Sequence, residues 1–142
     1  MGTVADNVQV GQKLPLFSRT PTQKHMDLFE ATEIVDHPNI HSDPAASQAA
    51  GIGASPIASG RMVTAYVCET MHRVFGDDWL HSGVTDLVFI RPVRGGDTIT
   101  IHATVKEKIA DGKKARVACD VYAENQNGDK TAVGTASVVT SQ

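Results

Sequence analysis

The sequence predicts an α+β domain in which one long helix is laid across an antiparallel sheet. Gly60 to Phe75 repeats apolar side chains at helical spacing through Val63, Tyr66, Val67, Met71, Val74 and Phe75, so one stripe of this helix must be buried. Ile99, Ile101, Ala103 and Val105 alternate with Thr98, Thr100, His102, Thr104 and Lys106, the period of a strand with one wet face. Asp111-Gly112 and Asn127-Gly128 then join this run to two further alternating runs, as hairpin turns do.

Each element has its own local reason. Thr20 can cap a first helix, with Pro21 at its first helical position and Gln23 reaching back to complete a capping box. Met26 and Phe29, with Leu28, Ala31 and Val35 nearby, give that helix a modest apolar face against Lys24, Asp27, Glu30 and Glu33. It is expected to run to about Ile34 and to end at Asp36-His37-Pro38, because proline disfavours helical geometry in the residue before it. From Asp36 to Ser59 the pattern dissolves into DHPNIHSDPAASQAAGIGASPIAS, with one short helix expected after Pro44, capped by Asp43 and ended by Gly51. A connection this long inside a compact domain usually carries function. Ser59 caps the long helix and Gly76 stops it. Val84 to Ile90, preceding Pro92, adds a strand to the three of the meander, so four strands are expected in the C-terminal half.

Composition bounds the function. At 142 residues the chain is one ordinary domain, and 41% hydrophobic with 20% charged residues is a globular composition. A net charge of -3 argues against general attraction to nucleic acid or an anionic membrane surface. Cys68 and Cys119 are too few and too far apart for a disulfide framework or a zinc ribbon. The first residues lack a basic segment followed by an apolar one, and no apolar run is long enough to span a bilayer, so a cytoplasmic protein is expected.

Chemistry concentrates in DHPNIHSD, where Asp36, His37, His41 and Asp43 fall close together. Three readings compete. The carboxylates and Asn39 can simply cap and form Asx turns. His37 and His41 could ligate a metal, although Pro38 between them opposes a regular helix and no third His or Cys stands near. Asp36 and His41, folded together around the Pro38-Asn39 turn, could instead hold and deprotonate a water. Ser59-Gly60 adds weight to the last, because free N–H groups at a helix start suit a developing negative charge and glycine permits close approach. Taken alone, Ser59 is just a cap and Gly60 just a small residue.

The ordered combination D-x-x-x-x-H, a small-residue loop, Pro56-Ile57-Ala58-Ser59-Gly60 and the apolar helix resembles the MaoC-like hydratases and dehydratases, among them the R-specific enoyl-CoA hydratases. Later, FIRPVRGGDTI resembles the family's strand into the meander and NQNGDK its last hairpin. The similarity covers nearly the whole chain, taken as one domain over residues 1–142. In the loop, proline and asparagine are exchanged relative to the family's D-x-N-P-x-H, and Cys68 stands where a small polar group often supports the aspartate.

This resemblance implies a hot-dog fold: a long central helix wrapped by a curved antiparallel sheet, with an overhanging loop and helix segment. It implies a lyase in which Asp36 and His41 activate water for addition to a 2-enoyl thioester and the Gly60 N–H holds the thioester oxygen. Ser59, Arg61 and Arg94 become candidate substrate contacts, with Arg91, Lys113 and Lys114 as further cations for an anionic carrier. No cofactor is implied beyond the coenzyme A or phosphopantetheine of the substrate itself, and no metal. Met62, Tyr66, Trp79 and Leu80 are candidates for setting acyl length. Expected partners are an acyl-CoA thioester and a second copy of the chain, in a homodimer or higher oligomer, with neither nucleic acid nor membrane. Two alternatives stand beside the hydratase: an acyl-CoA thioesterase, for which Glu69 is the available acid on the central helix, and a non-catalytic acyl-binding or partner subunit.

Overall fold

A computed structural model of the chain describes residues 7–32 and 37–141. Five strands, β1 (Phe17–Arg19), β2 (Val84–Phe89), β3 (Ile99–Asp111), β4 (Lys114–Glu124) and β5 (Lys130–Ser141), form one antiparallel sheet in the order β1-β3-β4-β5-β2. The helices are α1 (Gln23–Ala31), α2 (Pro44–Ala49), α3 (Gly60–Phe75) and α4 (Asp77–Ser82).

The alternation of β3 and β4 becomes the dry face of the sheet. Ile101 opposite Ala123 and Val105 opposite Cys119 are all buried. A bulge between Val105 and Glu107 then breaks the register, which is why the end of β3 leaves Ile109 exposed. Against this face α3 lays Val63, Val67, Met71 and Phe75, all buried. Each such side chain contributes about 1.5–3 kcal/mol relative to leaving it in water. Thr70 is buried with them and satisfies its hydroxyl on the Tyr66 carbonyl at 2.9 Å. The sheet curved around a central helix is the hot-dog arrangement.

The four strands expected after α3 are β2 to β5; β1 adds a fifth, whose three residues are too short to display a period. The short helix α4 was also not anticipated. Its DDWLHS segment buries Trp79 and ties itself to the end of β5 through Ser82 and Asp78. The Ser82 hydroxyl donates to the Val139 carbonyl at 3.0 Å, and the Ser141 hydroxyl donates to the Asp78 carboxylate at 3.0 Å.

The start of α1 also differs from expectation. Thr22, not Thr20, is the cap, and His25, not Gln23, completes the capping box: each accepts the other's backbone N–H at 3.2 Å. The imidazole Nδ1 serves where a Glu or Gln carbonyl oxygen usually does. Thr20 instead meets the Thr98 hydroxyl at 2.8 Å. The helix reaches Ala31 with Thr32 as its C-cap; Ile34, its expected end, lies outside the described residues.

At the far edge, β2 pairs with β5 and its backbone crowds Gly134. A Cβ on Gly134 would stand 1.9 Å from the Asp86 carbonyl oxygen, so no other residue fits there without moving backbone. No helix among the described residues is long and apolar enough to cross a membrane.

Candidate active site

The loop that precedes α3 is held from several directions. Asn39 makes an Asx turn, its side-chain oxygen accepting the His41 N–H at 2.8 Å, and this turn presents the histidine. Asp43 caps α2 as expected, accepting from Ala45 N–H at 3.2 Å. From α2 the fully buried Ser47 hydroxyl reaches the carbonyls of Gly53 and Ser55 at 2.7 and 3.0 Å. Gly51 and Gly53 take the positive φ angles, 77° and 91°, that this tight path demands. Ile57 N–H donates to the Ile40 carbonyl at 3.0 Å and Ala58 N–H to the Val93 carbonyl at 2.7 Å, zipping the histidine segment to the start of α3 and to the chain after β2.

His41 is oriented by its ring. Its Nδ1 lies 2.8 Å from the Ile57 carbonyl oxygen. A carbonyl can only accept, so Nδ1 carries the proton, and in the neutral ring Nε2 presents its lone pair away from the loop. Gln23 secures the same residue from behind, its amide donating to the His41 carbonyl at 3.1 Å and to Asp27 at 2.9 Å. The Gln23 that was expected to cap α1 thus ties α1 to this loop.

Gly60 opens α3. Ser59 caps it, accepting from the Arg61 N–H at 3.3 Å, and the Gly60 N–H meets no acceptor among the described residues. This leaves one N–H at the positive end of a long helix open to a ligand.

His41 and Gly60 share the rims of two cavities. One, of about 350 Å³, is lined mainly by apolar side chains, among them Ile52, Ile57, Val63, Ile90 and Val93. The other, of about 590 Å³, is more polar than the first and includes Glu30, Asn39, Ser59 and Arg61. Phe89 belongs to both.

The remaining candidates fall as follows. Asp36 lies outside the described residues. His37 is exposed and lines neither cavity. Ser59 and Arg61 line the polar cavity, and Arg91 lines the apolar one. Arg94 turns its guanidinium onto the loop, donating to the Ile52 carbonyl at 2.6 Å and to the Ser55 carbonyl, so it braces the path that carries Ile57. Lys113 and Lys114 sit at the β3–β4 turn and line neither cavity.

None of the four side chains expected to set acyl length lines either cavity. Met62 and Tyr66 border a separate hollow of about 260 Å³ with Arg19, Thr20 and His25. Trp79 is core and Leu80 is 68% exposed. Cys68 is half-buried toward α4; burial pushes its thiol up, and a hydrogen bond with Trp79 offsets this in part. Glu69 points outward to Arg73 and Arg19, at 2.8 and 3.3 Å.

Among the lining residues that carry no readable signal in the sequence are Glu30, Thr131 and Phe89. Glu30 reads as part of the charged face of α1, Thr131 lies in the β5 alternation, and Phe89 reads as an ordinary strand residue.

The family described as MaoC like domain matches residues 6–128. No curated protein matches the chain. Among solved structures, a monoamine oxidase regulatory protein from Archaeoglobus fulgius is 27% identical, with a TM-score of 0.81 over 96% of this chain and 93% of that one. The R-hydratase PhaJ1 from Pseudomonas aeruginosa is 24% identical, with a TM-score of 0.73 over 96% of this chain and 84% of its own. An (R)-hydratase from A. caviae involved in PHA biosynthesis is 21% identical, with a TM-score of 0.75 over 96% and 98%.

Proposed function

The chain belongs to the MaoC-like domain family of hydratases and dehydratases, and from that premise we propose that it adds water reversibly to a 2-enoyl-CoA or acyl-carrier thioester, giving the 3-hydroxyacyl thioester. The observation that carries the reading is the His41 ring. With Nδ1–H bound to the Ile57 carbonyl at 2.8 Å, Nε2 can accept a hydrogen from water on the rim that also carries the open Gly60 N–H.

In this mechanism Asp36 and His41 share one water. Its oxygen bonds to C3 of the enoyl group, and the pair takes the proton it sheds. The thioester oxygen gains enolate character as C3 is attacked, and the Gly60 N–H stabilises it; donors of this kind contribute ~10²–10³ in rate. The pair then returns one proton to C2, so the protein ends as it began. Read backwards, the same groups dehydrate.

The anionic end of the carrier suits Arg61, which lines the more polar of the two cavities, whereas Arg91 lines the apolar one. Arg94 serves the substrate indirectly, through the loop. Thioester hydrolysis is less well supported: Glu69, the acid on α3, is paired with Arg19 and Arg73 and lines neither cavity. The polar chemistry gathered at His41 also exceeds what a passive acyl binder needs.

A homodimer is part of this reading. Among the described residues β2 is bonded on one side only, by β5, and Val84 and Val88 on it are 61% and 60% exposed. We place the protein in the cytoplasm, as an enzyme without a resident cofactor.

The test follows the loss of enoyl absorbance with crotonyl-CoA and with longer or branched 2-enoyl-CoAs. Wild type should consume at least one of them, and His41→Ala should lower kcat by ~10²–10⁴ with the fold retained. Free thiol released in place of hydrated product would favour the thioesterase. A folded wild type inert to every acyl chain would sink the hydratase. Sedimentation of the same sample should give twice the 15.1 kDa chain mass.

A further inference from the structure

Two cavities, one more polar than the other, adjoin at the proposed reacting centre, and among the described residues three line both: His41, Gly60 and Phe89. The first two have roles in the proposed reaction; the third has none. We infer that Phe89 positions the enoyl thioester at the junction, and so sets how well the enzyme handles short acyl chains. This rests on the hydratase reading.

The geometry is specific. Phe89 ends β2, opposite the buried Ala132 of β5, so its side chain falls on the concave face with α3. A Cβ on Gly60 would lie 2.9–3.2 Å from three atoms of the Phe89 ring. The ring therefore lies flush against the bare α-carbon of the residue whose N–H is offered to the thioester. At the opening of a helix, glycine sacrifices propensity relative to alanine. What it gains here is this contact.

The substrate divides as the cavities do. An apolar acyl tail partitions into the space walled by Ile52, Ile57, Val63 and Ile90, and the amides of the pantetheine arm suit the space with Asn39 and Arg61. The thioester and its double bond then cross between the two, against the Phe89 ring. A long chain is anchored by the apolar walls whether or not the ring is present. A crotonyl group has one methyl to offer those walls, so the ring supplies a larger share of its contacts and of its alignment.

The inference predicts a chain-length signature. Phe89→Ala should lower kcat/KM by ~30-fold on crotonyl-CoA and by ~3-fold or less on decenoyl-CoA, with Phe89→Leu between. Because Phe89 is 49% exposed, its removal leaves no hollow core; thermal melting and sedimentation should match wild type. A purely structural role would lower both substrates alike. Equal losses, or none, in a wild type that hydrates would overturn the inference and leave the hydratase standing. Binding of butyryl-CoA and decanoyl-CoA, which cannot be hydrated, separates the two ideas. If the wild type hydrates nothing, selective weakening of butyryl-CoA binding in Phe89→Ala still supports the positioning role, and equal weakening removes it.

Discussion

A side chain at position 60 would push the Phe89 ring aside, whereas the N–H at that position is a property of the backbone, and two substitutions separate these demands. Gly60→Ala keeps the N–H and adds a Cβ that meets the ring at 2.9 Å. Gly60→Pro adds the same Cβ and removes the N–H, at a first helical position that proline tolerates and after a Ser59 whose extended backbone (φ -60°, ψ 140°) suits a following proline. If the N–H holds the thioester oxygen, Gly60→Pro should have a kcat ~10²–10³ below that of Gly60→Ala. Equal single-turnover rates for the two would remove the oxyanion role. His41 shows how far residue reading reaches. Its type and spacing marked it for chemistry, but the Ile57 carbonyl that selects its tautomer belongs to a loop whose path no periodicity describes.

Among the elements, those with a long period were legible and those without were not. The α3 stripe and the β3–β4–β5 meander each repeat often enough to override local ambiguity. The segments β1 and α4 are too short to repeat anything. At the start of α1, Thr20 and Thr22 both qualify as caps, and the histidine that completes the box is outside the usual pattern. Phe89 and Glu30 were unreadable as site residues for a different reason: their meaning arises where β2 and the end of α1 come to face the loop, which is tertiary. Gly134 carries the β2–β5 contact. Gly134→Ala should destabilise the fold by about 1–3 kcal/mol or more, since the Cβ meets backbone rather than a movable side chain. Because β2 carries Phe89, activity should fall with it. Denaturant titration checks this; an unchanged midpoint would mean β2 yields freely.

At the scale of the whole molecule, the dry face sets an alkaline limit. Cys119 is buried in the core, and its thiol is pushed up to about 11 from an ordinary 9.0, by burial first and by the Asp120 carboxylate second. The unfolded chain releases that proton near pH 9 and the folded chain does not until near 11, so across this window the unfolded state holds fewer protons and stability falls as pH rises. Cys119→Ala should be less stable than wild type at neutral pH yet lose stability less steeply between pH 9 and 11. Parallel stability curves through that window would exclude the thiol as a contributor.

The strand order has a consequence for how the molecule is made. Among the described residues β2 has one partner, β5, which follows β2, β3 and β4 in chain order. Phe89 and Ile90 are therefore synthesised well before the strand that holds them in place. A chain still emerging from the ribosome can form α3 and the first hairpin of the meander, but it lacks the wall against which an enoyl group would be held. Catalytic competence thus arrives with β5 rather than accumulating strand by strand.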